Sequence, residues 1–221
     1  MDMKPLNKIN IEWSPKFAYA IGLLVTDGNL SPDKRHIIFT SKDKELAINF
    51  QKGLKATGKI GKKSSGFNKE KKYYVVQFSD INFYKFLLKI GLMPKKSKVI
   101  ADLKIPKRYF FDFLRGHFDG DGTFYSYWDK RWKSSFMFYT VFMTASEKHI
   151  KWLQDCIFKY LKIKGYITKN KKLTQKNYIF SLRYAKKDSL KLISKLYYNT
   201  NVICLSRKRE KINKVIAINK L

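Results

Sequence analysis

The sequence predicts an α+β fold made of two αββαββα repeats in a pseudo-two-fold arrangement. Three observations lead to this prediction. An apolar helical segment that runs into Asp-Gly occurs once in each half of the 221-residue chain. Strand-like and helix-like segments follow each of them in the same order. The hydrophobic content of 44% is also high enough to build the cores of two such repeats.

The first repeat begins with the apolar helix predicted to end at Gly28, which Ser14 caps and Pro15 opens. The segments after it are rich in β-branched and aromatic residues where strands are predicted. They are, in order, a strand at 37–41, a helix after 42–45, strands at 59–66 and 72–79, and a helix near 81–90. We predict that this N-terminal repeat occupies residues 1–100.

The second repeat begins with the helix predicted over residues 111–122, which Ile105 and Pro106 are expected to open. The elements after it are a strand at 135–144, a helix after 146–149, strands at 164–171 and 177–184, a helix near 187–197, and a final helix at 206–219. This C-terminal repeat is predicted to occupy residues 101–221.

The charge of the chain points to a polyanionic partner. Lys and Arg number 47 against 17 Asp and Glu, which gives a formal net charge of +30. Such a charge opposes folding through self-repulsion, and nucleic acid is the commonest partner that offsets it. The alternative is a solubility charge in a lysine-rich composition. The low number of acidic residues disfavours that alternative.

Several classes of protein are excluded by composition. Cys156 and Cys204, expected to be buried thiols in helical segments, are too few for a disulfide framework or a four-cysteine zinc site. No run of about eighteen apolar residues predicts a membrane span. The N-terminus has no apolar signal region. We therefore expect an intracellular protein, in the cytoplasm or nucleoid of a prokaryote or phage-infected cell, or in an organelle.

Two glycines and two aspartates recur at one register in the opening helices. Gly22 precedes Asp27 by five residues, and Gly116 precedes Asp121 in the same way. A glycine inside a helix costs about 1 kcal/mol relative to alanine, so its repetition suggests that the two helices pack closely there. That packing would bring Asp27 and Asp121 together at helix C-termini, where two carboxylates need a compensating cation. Magnesium, which prefers oxygen ligands and phosphates, is the expected ion.

The two segments resemble a known motif. Residues 114–122, Leu-Arg-Gly-His-Phe-Asp-Gly-Asp-Gly, and residues 20–28, Ala-Ile-Gly-Leu-Leu-Val-Thr-Asp-Gly, are similar to the LAGLIDADG signature. From about 14 to 219 the chain resembles a single-chain LAGLIDADG homing endonuclease with one motif in each half. The resemblance implies a monomer with paired motif helices at the interface and antiparallel β saddles that face double-stranded DNA. It also implies double-strand breaks with short 3′ overhangs at a long, pseudo-symmetric site.

The resemblance also assigns residues to a catalytic centre. Asp27 and Asp121 are the implied metal ligands, together with the carbonyls of Thr26 and Gly120. It implies Mg²⁺ as cofactor, with Mn²⁺ substituting and Ca²⁺ supporting binding without cleavage. The earlier aspartate of the second motif, Asp119, is expected to make a structural polar contact instead.

Lysines and polar side chains near the acids complete the implied centre. Lys96 and Lys208 are the lysines expected to stabilise charge at a scissile phosphate. Ser41 falls where a water-organising side chain is expected, and Ala145 takes the corresponding place in the second half. The two half-sites are therefore expected to differ chemically.

DNA contacts are expected from the strand faces that alternate with the apolar core positions. In the first half these are Lys34, Arg35, His36, Ile38, Tyr73, Val75 and Gln77. In the second half they are Tyr125, Tyr127, Arg131, Ser181 and Arg183, with Asp129 on the same face. Arginine bound to guanine and glutamine bound to adenine are the discriminating pairs in the major groove.

Two alternative functions stay open on the same fold. One is an intron maturase that binds its host-intron RNA, and the other is a DNA-binding regulator that does not cleave. Retention of both motif aspartates favours cleavage. The gene is expected to be intron-encoded or free-standing rather than part of an intein.

Overall fold

The computed structural model describes residues 8–65, 68–132, 134–171 and 178–219, and the predicted order of elements occurs twice along them. The first repeat consists of α1 (Pro15–Asp27), β1 (Gly28–Leu30), β2 (His36–Ser41), α2 (Lys44–Leu54), β3 (Gly61–Ser65), β4 (Asn68–Ser79) and α3 (Ile81–Lys89). The second consists of α4 (Phe110–Asp121), β5 (Thr123–Trp128), β6 (Phe136–Thr144), α5 (Glu147–Leu161), β7 (Tyr166–Asn170), β8 (Ile179–Ala185) and α6 (Lys186–Leu196). A further helix, α7 (Ser206–Ile218), follows the second repeat. The predicted α+β fold is confirmed, and the boundary between residues 100 and 101 stays a prediction.

Each repeat contributes one four-stranded antiparallel sheet. The strand order is β1-β2-β4-β3 in the first sheet and β5-β6-β8-β7 in the second. Gly28 pairs with Phe39, and Thr123 pairs with Val141, so Gly122 comes opposite Phe142. Phe39 and Phe142 therefore hold equivalent positions, and residues of the two sheets can be matched one by one from this point.

Side-chain caps fix where several helices begin. Ser14 Oγ accepts a hydrogen bond from Phe17 N at 3.2 Å, as expected for the first helix. Ser146 Oγ caps α5 in the same way. The expectation that Ile105 and Pro106 open the second motif helix is wrong by one turn. Pro106 precedes a 3-10 turn at Lys107–Tyr109, and α4 starts after it without a side-chain cap.

The two motif helices, α1 and α4, pack against each other through their glycines. A Cβ added to Gly22 would lie 2.1 Å from the Phe113 carbonyl oxygen, and one added to Gly116 would lie 2.0 Å from that of Tyr19. These distances leave no room for any side chain, since backbone meets backbone on both sides. The predicted glycine-lined seam is present, and it joins the two repeats.

The apolar core lies between the helices and one face of each sheet. Phe39 and Val76 are buried in the first sheet, and Phe138, Phe142 and Leu182 are buried in the second. Because strand residues alternate between faces, the opposite face of each sheet carries most of the residues predicted to meet DNA. The elements thus place one helix-covered and one helix-free face on each sheet.

The two cysteines are free, and both are half-buried. Cys156 lies in α5, whereas Cys204 lies in the segment before α7. The expectation of buried thiols is therefore wrong for both, and that of a helical position is wrong for Cys204, whose carbonyl accepts a hydrogen bond from Asn49 Nδ2 at 2.9 Å. None of the helices described is long and apolar enough to cross a membrane.

Candidate active site

The C-terminal ends of α1 and α4 bring the two motif aspartates together. A Cβ placed on Gly120 would lie 2.9 Å from Asp27 Oδ2, so the first carboxylate rests against the backbone of the second motif. Burial and the charge of Asp121 raise the pKa of Asp27 to about 6. Burial also raises the pKa of Asp121, against the opposing effect of Lys208 and Lys96. Each carboxylate therefore senses charges contributed by the other repeat.

Two lysines border this pair of acids at equivalent positions. Lys96 Nζ donates a hydrogen bond to the carbonyl oxygen of Gly28, and Lys208 Nζ donates to that of Gly122 at 2.6 Å. These glycines directly follow Asp27 and Asp121 in the chain. Burial lowers the pKa of each lysine to about 8, although the carboxylates favour the charged form. The structure thus brings all four predicted centre residues to one place.

The site fits a divalent cation on chemical grounds. Two carboxylates at helix C-termini, one of them with its pKa raised to about 6, form an arrangement that an added positive charge would stabilise. Carboxylate and carbonyl oxygens are the donors that Mg²⁺ prefers. Within the described residues no group of three or more His, Cys, Asp and Glu side chains could hold a metal. Any ion here must therefore take its remaining ligands from carbonyls, water or substrate.

Thr26 and Gly120, whose carbonyls were predicted to face the metal, directly precede the two acids and contact each other. Thr26 Oγ1 is 2.9 Å from the Leu23 carbonyl oxygen and 3.2 Å from Asp27 Oδ2. A Cβ on Gly120 would come within 2.0 Å of Thr26 Oγ1. The threonine hydroxyl and the glycine therefore pack directly on each other at the end of the seam.

Asp119 has the structural contacts expected of it. The carboxylate is buried, and Oδ2 accepts hydrogen bonds from Tyr19 OH and Leu205 N, both at 2.7 Å. Tyr197 OH lies 3.4 Å from Oδ1. Tyr19 belongs to α1 and Leu205 immediately precedes α7, so Asp119 ties both to α4. This contact helps to place α7, the helix that carries Lys208.

Polar side chains at the strand ends lie near the two acids in both repeats. A cleft of about 530 Å³ opens beside Asp121, between the motif helix ends and the second sheet. Ala145 lines this cleft, whereas Ser41, in the first repeat, is buried and accepts a hydrogen bond from Asp43 N at 3.0 Å. Because Phe39 matches Phe142, Ser41 corresponds to Thr144, whose Oγ1 likewise accepts a hydrogen bond from Ser146 N at 3.2 Å. Both repeats therefore offer a hydroxyl at this position, and the expectation that Ala145 takes the place of Ser41 is wrong.

The predicted DNA-facing residues of the first sheet lie mostly on the helix-free face. Tyr73, Val75 and Gln77 alternate with the core-facing Tyr74, Val76 and Phe78. Of the other predicted residues, His36 and Ile38 lie on β2, and Lys34 and Arg35 precede it. Lys34 and Arg35 do not start a strand face as expected. They lie in the turn before β2, where Lys34 has a φ of 61° and Arg35 pairs with Asp33.

The second sheet places Tyr125, Tyr127 and Arg183 on its helix-free face, as predicted. Ser181 lies on that face too, but it is only 4% exposed and offers DNA little surface. Asp129 and Arg131 do not share the strand face, because β5 ends at Trp128. The Asp129 carboxylate instead accepts a hydrogen bond from Arg131 N at 2.9 Å in the turn, which leaves the Arg131 side chain exposed.

Sequence reasoning missed Tyr139, which stacks against two of the predicted tyrosines. Its ring lies 5.2 Å from that of Tyr125 and 6.2 Å from that of Tyr127, nearly parallel to both. The signal was present, because Tyr139 alternates with the buried Phe138 on β6. Recognising the contact required the register that pairs Tyr125 with Tyr139.

Comparison with known proteins agrees with this fold. Residues 14–91 match the family model of the LAGLIDADG-like domain. No protein of curated function matches the chain in sequence. Among solved structures, the LAGLIDADG meganuclease I-AabMI bound to uncleaved DNA superposes with a TM-score of 0.60 and 14% identity. That match covers 94% of this chain and 91% of I-AabMI.

Two further structures extend the comparison. I-DmoI in complex with DNA and Mn has a TM-score of 0.51 at 15% identity, covering 84% of this chain and 97% of that one. Full-length DUF199/WhiA from Thermatoga maritima has a TM-score of 0.55 at 15% identity, covering 96% of this chain. The chain spans only 64% of the length of that WhiA.

The fold and the paired motif helices are those of two-repeat LAGLIDADG structures. The first repeat contains a LAGLIDADG-like domain by sequence, and both repeats together have the fold of the single-chain LAGLIDADG homing endonucleases. The resemblance inferred from the two motifs is therefore confirmed at the level of family domain and fold.

Proposed function

We propose that the chain is a site-specific DNA endonuclease that makes metal-dependent double-strand breaks at a long, pseudo-symmetric site and leaves short 3′ overhangs. One observation carries the proposal: Asp27 and Asp121, one from each repeat, meet between two lysines at the ends of paired helices. The helix-free faces of both sheets adjoin this centre. DNA bound to I-AabMI and I-DmoI supports duplex DNA as the partner.

The centre acts as a phosphodiester hydrolase through residues of both repeats. Asp27 and Asp121, with the carbonyls of Thr26 and Gly120, would hold Mg²⁺. Mn²⁺, present in the I-DmoI complex, would substitute, and Ca²⁺ would support binding alone. When bound, a divalent ion supplies an activated water and stabilises the leaving oxygen. Lys96 and Lys208 keep positive charge beside the acids, where negative charge develops on a scissile phosphate.

Recognition is assigned to the two sheets. The helix-free faces carry the side chains predicted for base contacts, and the net charge of +30 supplies phosphate contacts. Because both motifs lie in one chain, a monomer contains the whole centre. Intron homing and an intracellular location belong to the same proposal.

Cleavage of a plasmid library tests this function. A supercoiled library with randomised inserts is incubated with the protein and Mg²⁺, and linear products are sequenced. We expect linearised plasmid from the wild type and none from Asp27→Asn or Asp121→Asn. Both variants should still bind the selected site in Ca²⁺. Glu147→Gln, which removes an exposed carboxylate paired with Lys151, is the matched control and should cleave normally.

Contrary results separate the alternatives. Double-strand cutting by either aspartate variant would refute the assignment of the centre. Sequence-specific binding without cutting by the wild type would favour a regulator, and the WhiA match means that the fold extends beyond chains described as homing endonucleases. Tight binding of structured intron RNA together with no DNA cleavage would favour a maturase.

A further inference from the structure

Gln77 and Arg183 hold equivalent positions in the two sheets. Phe39 pairs with Val76, and Ile38, the residue before Phe39, pairs with Gln77. In the second sheet Phe142 pairs with Leu182, and Val141 pairs with Arg183. Since Phe39 and Phe142 are equivalent, the two-fold that relates the repeats superimposes Gln77 on Arg183. Both side chains lie on the helix-free face, next to core residues of the same strand.

Arg183 carries a positive charge that nothing nearby neutralises. Among the described residues no carboxylate forms an ion pair with it, and its buried Nε has no hydrogen-bond partner. The side chain as a whole is half-buried, so the remaining N–H groups of this unpaired guanidinium can meet a ligand with strong acceptors. Arg183 also lines the cleft that contains Asp121, which places it near the cleavage centre.

A row of tyrosines restrains the guanidinium from one side. The Tyr125 side chain interacts with Arg183, and the Tyr125 ring stacks on Tyr139 at 5.2 Å with an interplanar angle of 17°. Tyr127 continues the row at 6.2 Å from Tyr139. Because Tyr125 contacts Arg183 and is itself stacked on Tyr139, it restrains the position of the guanidinium. A restrained, planar guanidinium suits two-point recognition.

Gln77 differs from Arg183 in charge and in the base edge that it can recognise. It is exposed on β4, and its amide offers one donor group and one acceptor. In a major groove, glutamine pairs with the N6 and N7 edge of adenine, whereas arginine pairs with O6 and N7 of guanine. Two equivalent positions with these two side chains therefore define one place where the target departs from symmetry.

Resting on the proposed function, we infer that Gln77 and Arg183 read corresponding base pairs of the two half-sites, adenine under the first sheet and guanine under the second. Arg183 and Gln77 are thus a matched pair of specificity determinants. The two sheets that surround these residues are related by the same pseudo-two-fold. The target is predicted to be asymmetric at this pair of positions.

Exchange of the two side chains provides the test. Wild type, Arg183→Gln and Gln77→Arg each select binding sites from a randomised duplex pool in Ca²⁺. Arg183→Gln should change the preferred guanine to adenine, so that both half-sites carry adenine at this position. Gln77→Arg should produce guanine in both. Each change should reverse the preference at that base pair by roughly tenfold to a hundredfold.

A matched control removes charge elsewhere. Lys191→Gln, on the exposed surface of α6, loses one positive charge but should leave the selected sequence unchanged. If Arg183→Gln weakens binding to all sequences equally, with a salt dependence lower by about one phosphate contact, Arg183 binds the backbone and the inference is wrong. If the wild type selects no sequence at all, the proposed function fails instead.

Discussion

The ammonium of Lys208 is fully engaged by the protein, unlike that of Lys96. Lys208 Nζ lies 2.6 Å from the Phe118 carbonyl oxygen, 2.8 Å from that of Asp119 and 2.6 Å from that of Gly122. An ammonium has three N–H donors, so these bonds use all of them. Lys96 has one such bond among the described residues, to Gly28. Lys208 therefore caps the end of α4, while Lys96 keeps donors for a phosphate.

Methionine substitutions distinguish these two roles. Lys208→Met removes a donor from three carbonyls, of which that of Phe118 still accepts from Gly122 N, and it should lower the free energy of unfolding by about 2 kcal/mol. Lys96→Met should lower it by about 1 kcal/mol, and its larger effect should be on the cleavage rate. Urea unfolding and single-turnover cleavage measure the two quantities. Equal stability losses in the two variants would contradict this difference.

The residues of the centre were predictable from sequence because they follow the motif register. Asp27 and Asp121 precede the last motif glycine in each half, and Lys96 and Lys208 follow the repeats at corresponding places. The three hydrogen bonds of Lys208 were not predictable. They depend on the position of α7, which the buried Asp119 fixes through Leu205, far away in the chain.

At the scale of elements, the seam between α1 and α4 determines where the acids lie. Both helices meet through backbone atoms, and the C-terminal ends of both reach the same point. A single methyl group added to either glycine would push the two helices apart and move Asp27 away from Gly120. The seam is therefore required for the site as well as for the core.

Alanine substitution in the seam tests this dependence. Gly22→Ala and Gly116→Ala place a Cβ 2.1 Å and 2.0 Å from a carbonyl oxygen, so each should lower the free energy of unfolding by about 3 kcal/mol or more. Chemical denaturation gives the value. Gly61→Ala is the control, since its Cβ would meet nothing closer than the Val75 carbonyl oxygen at 3.7 Å. A seam variant as stable as that control would refute the close packing.

Element order was predictable from hydrophobic periodicity, and turn structure was less so. The predicted strands and helices all occur, because each has a long enough apolar pattern to identify it. The prediction for the hairpin between β5 and β6 was wrong at its tip, where Asp129 and Arg131 were expected on the strand face. There the Asp129 side chain binds Arg131 N, which ends the strand through a local contact that alternation does not reveal.

For the whole molecule, the charge of +30 makes DNA binding strongly dependent on salt. With about six or more phosphate contacts, the logarithm of the binding constant should fall with the logarithm of salt concentration at a slope of about −5 or steeper. Measuring the binding constant for duplex DNA at salt concentrations from about 50 to about 200 mM gives the slope. Lys34→Gln should reduce it by about one contact, whereas Lys191→Gln on α6 should leave it unchanged. A shallow slope for the wild type would argue against a phosphate-rich interface.

The position of Lys208 also bears on how the protein is made. The first carboxylate, Asp27, is translated early, but its partner acid and the lysine on α7 come much later along the chain. On the proposed function, a truncated product that ends before α7 lacks Lys208 and has an incomplete, poorly compensated centre. Such a product is expected to lack the cleavage activity of the full chain.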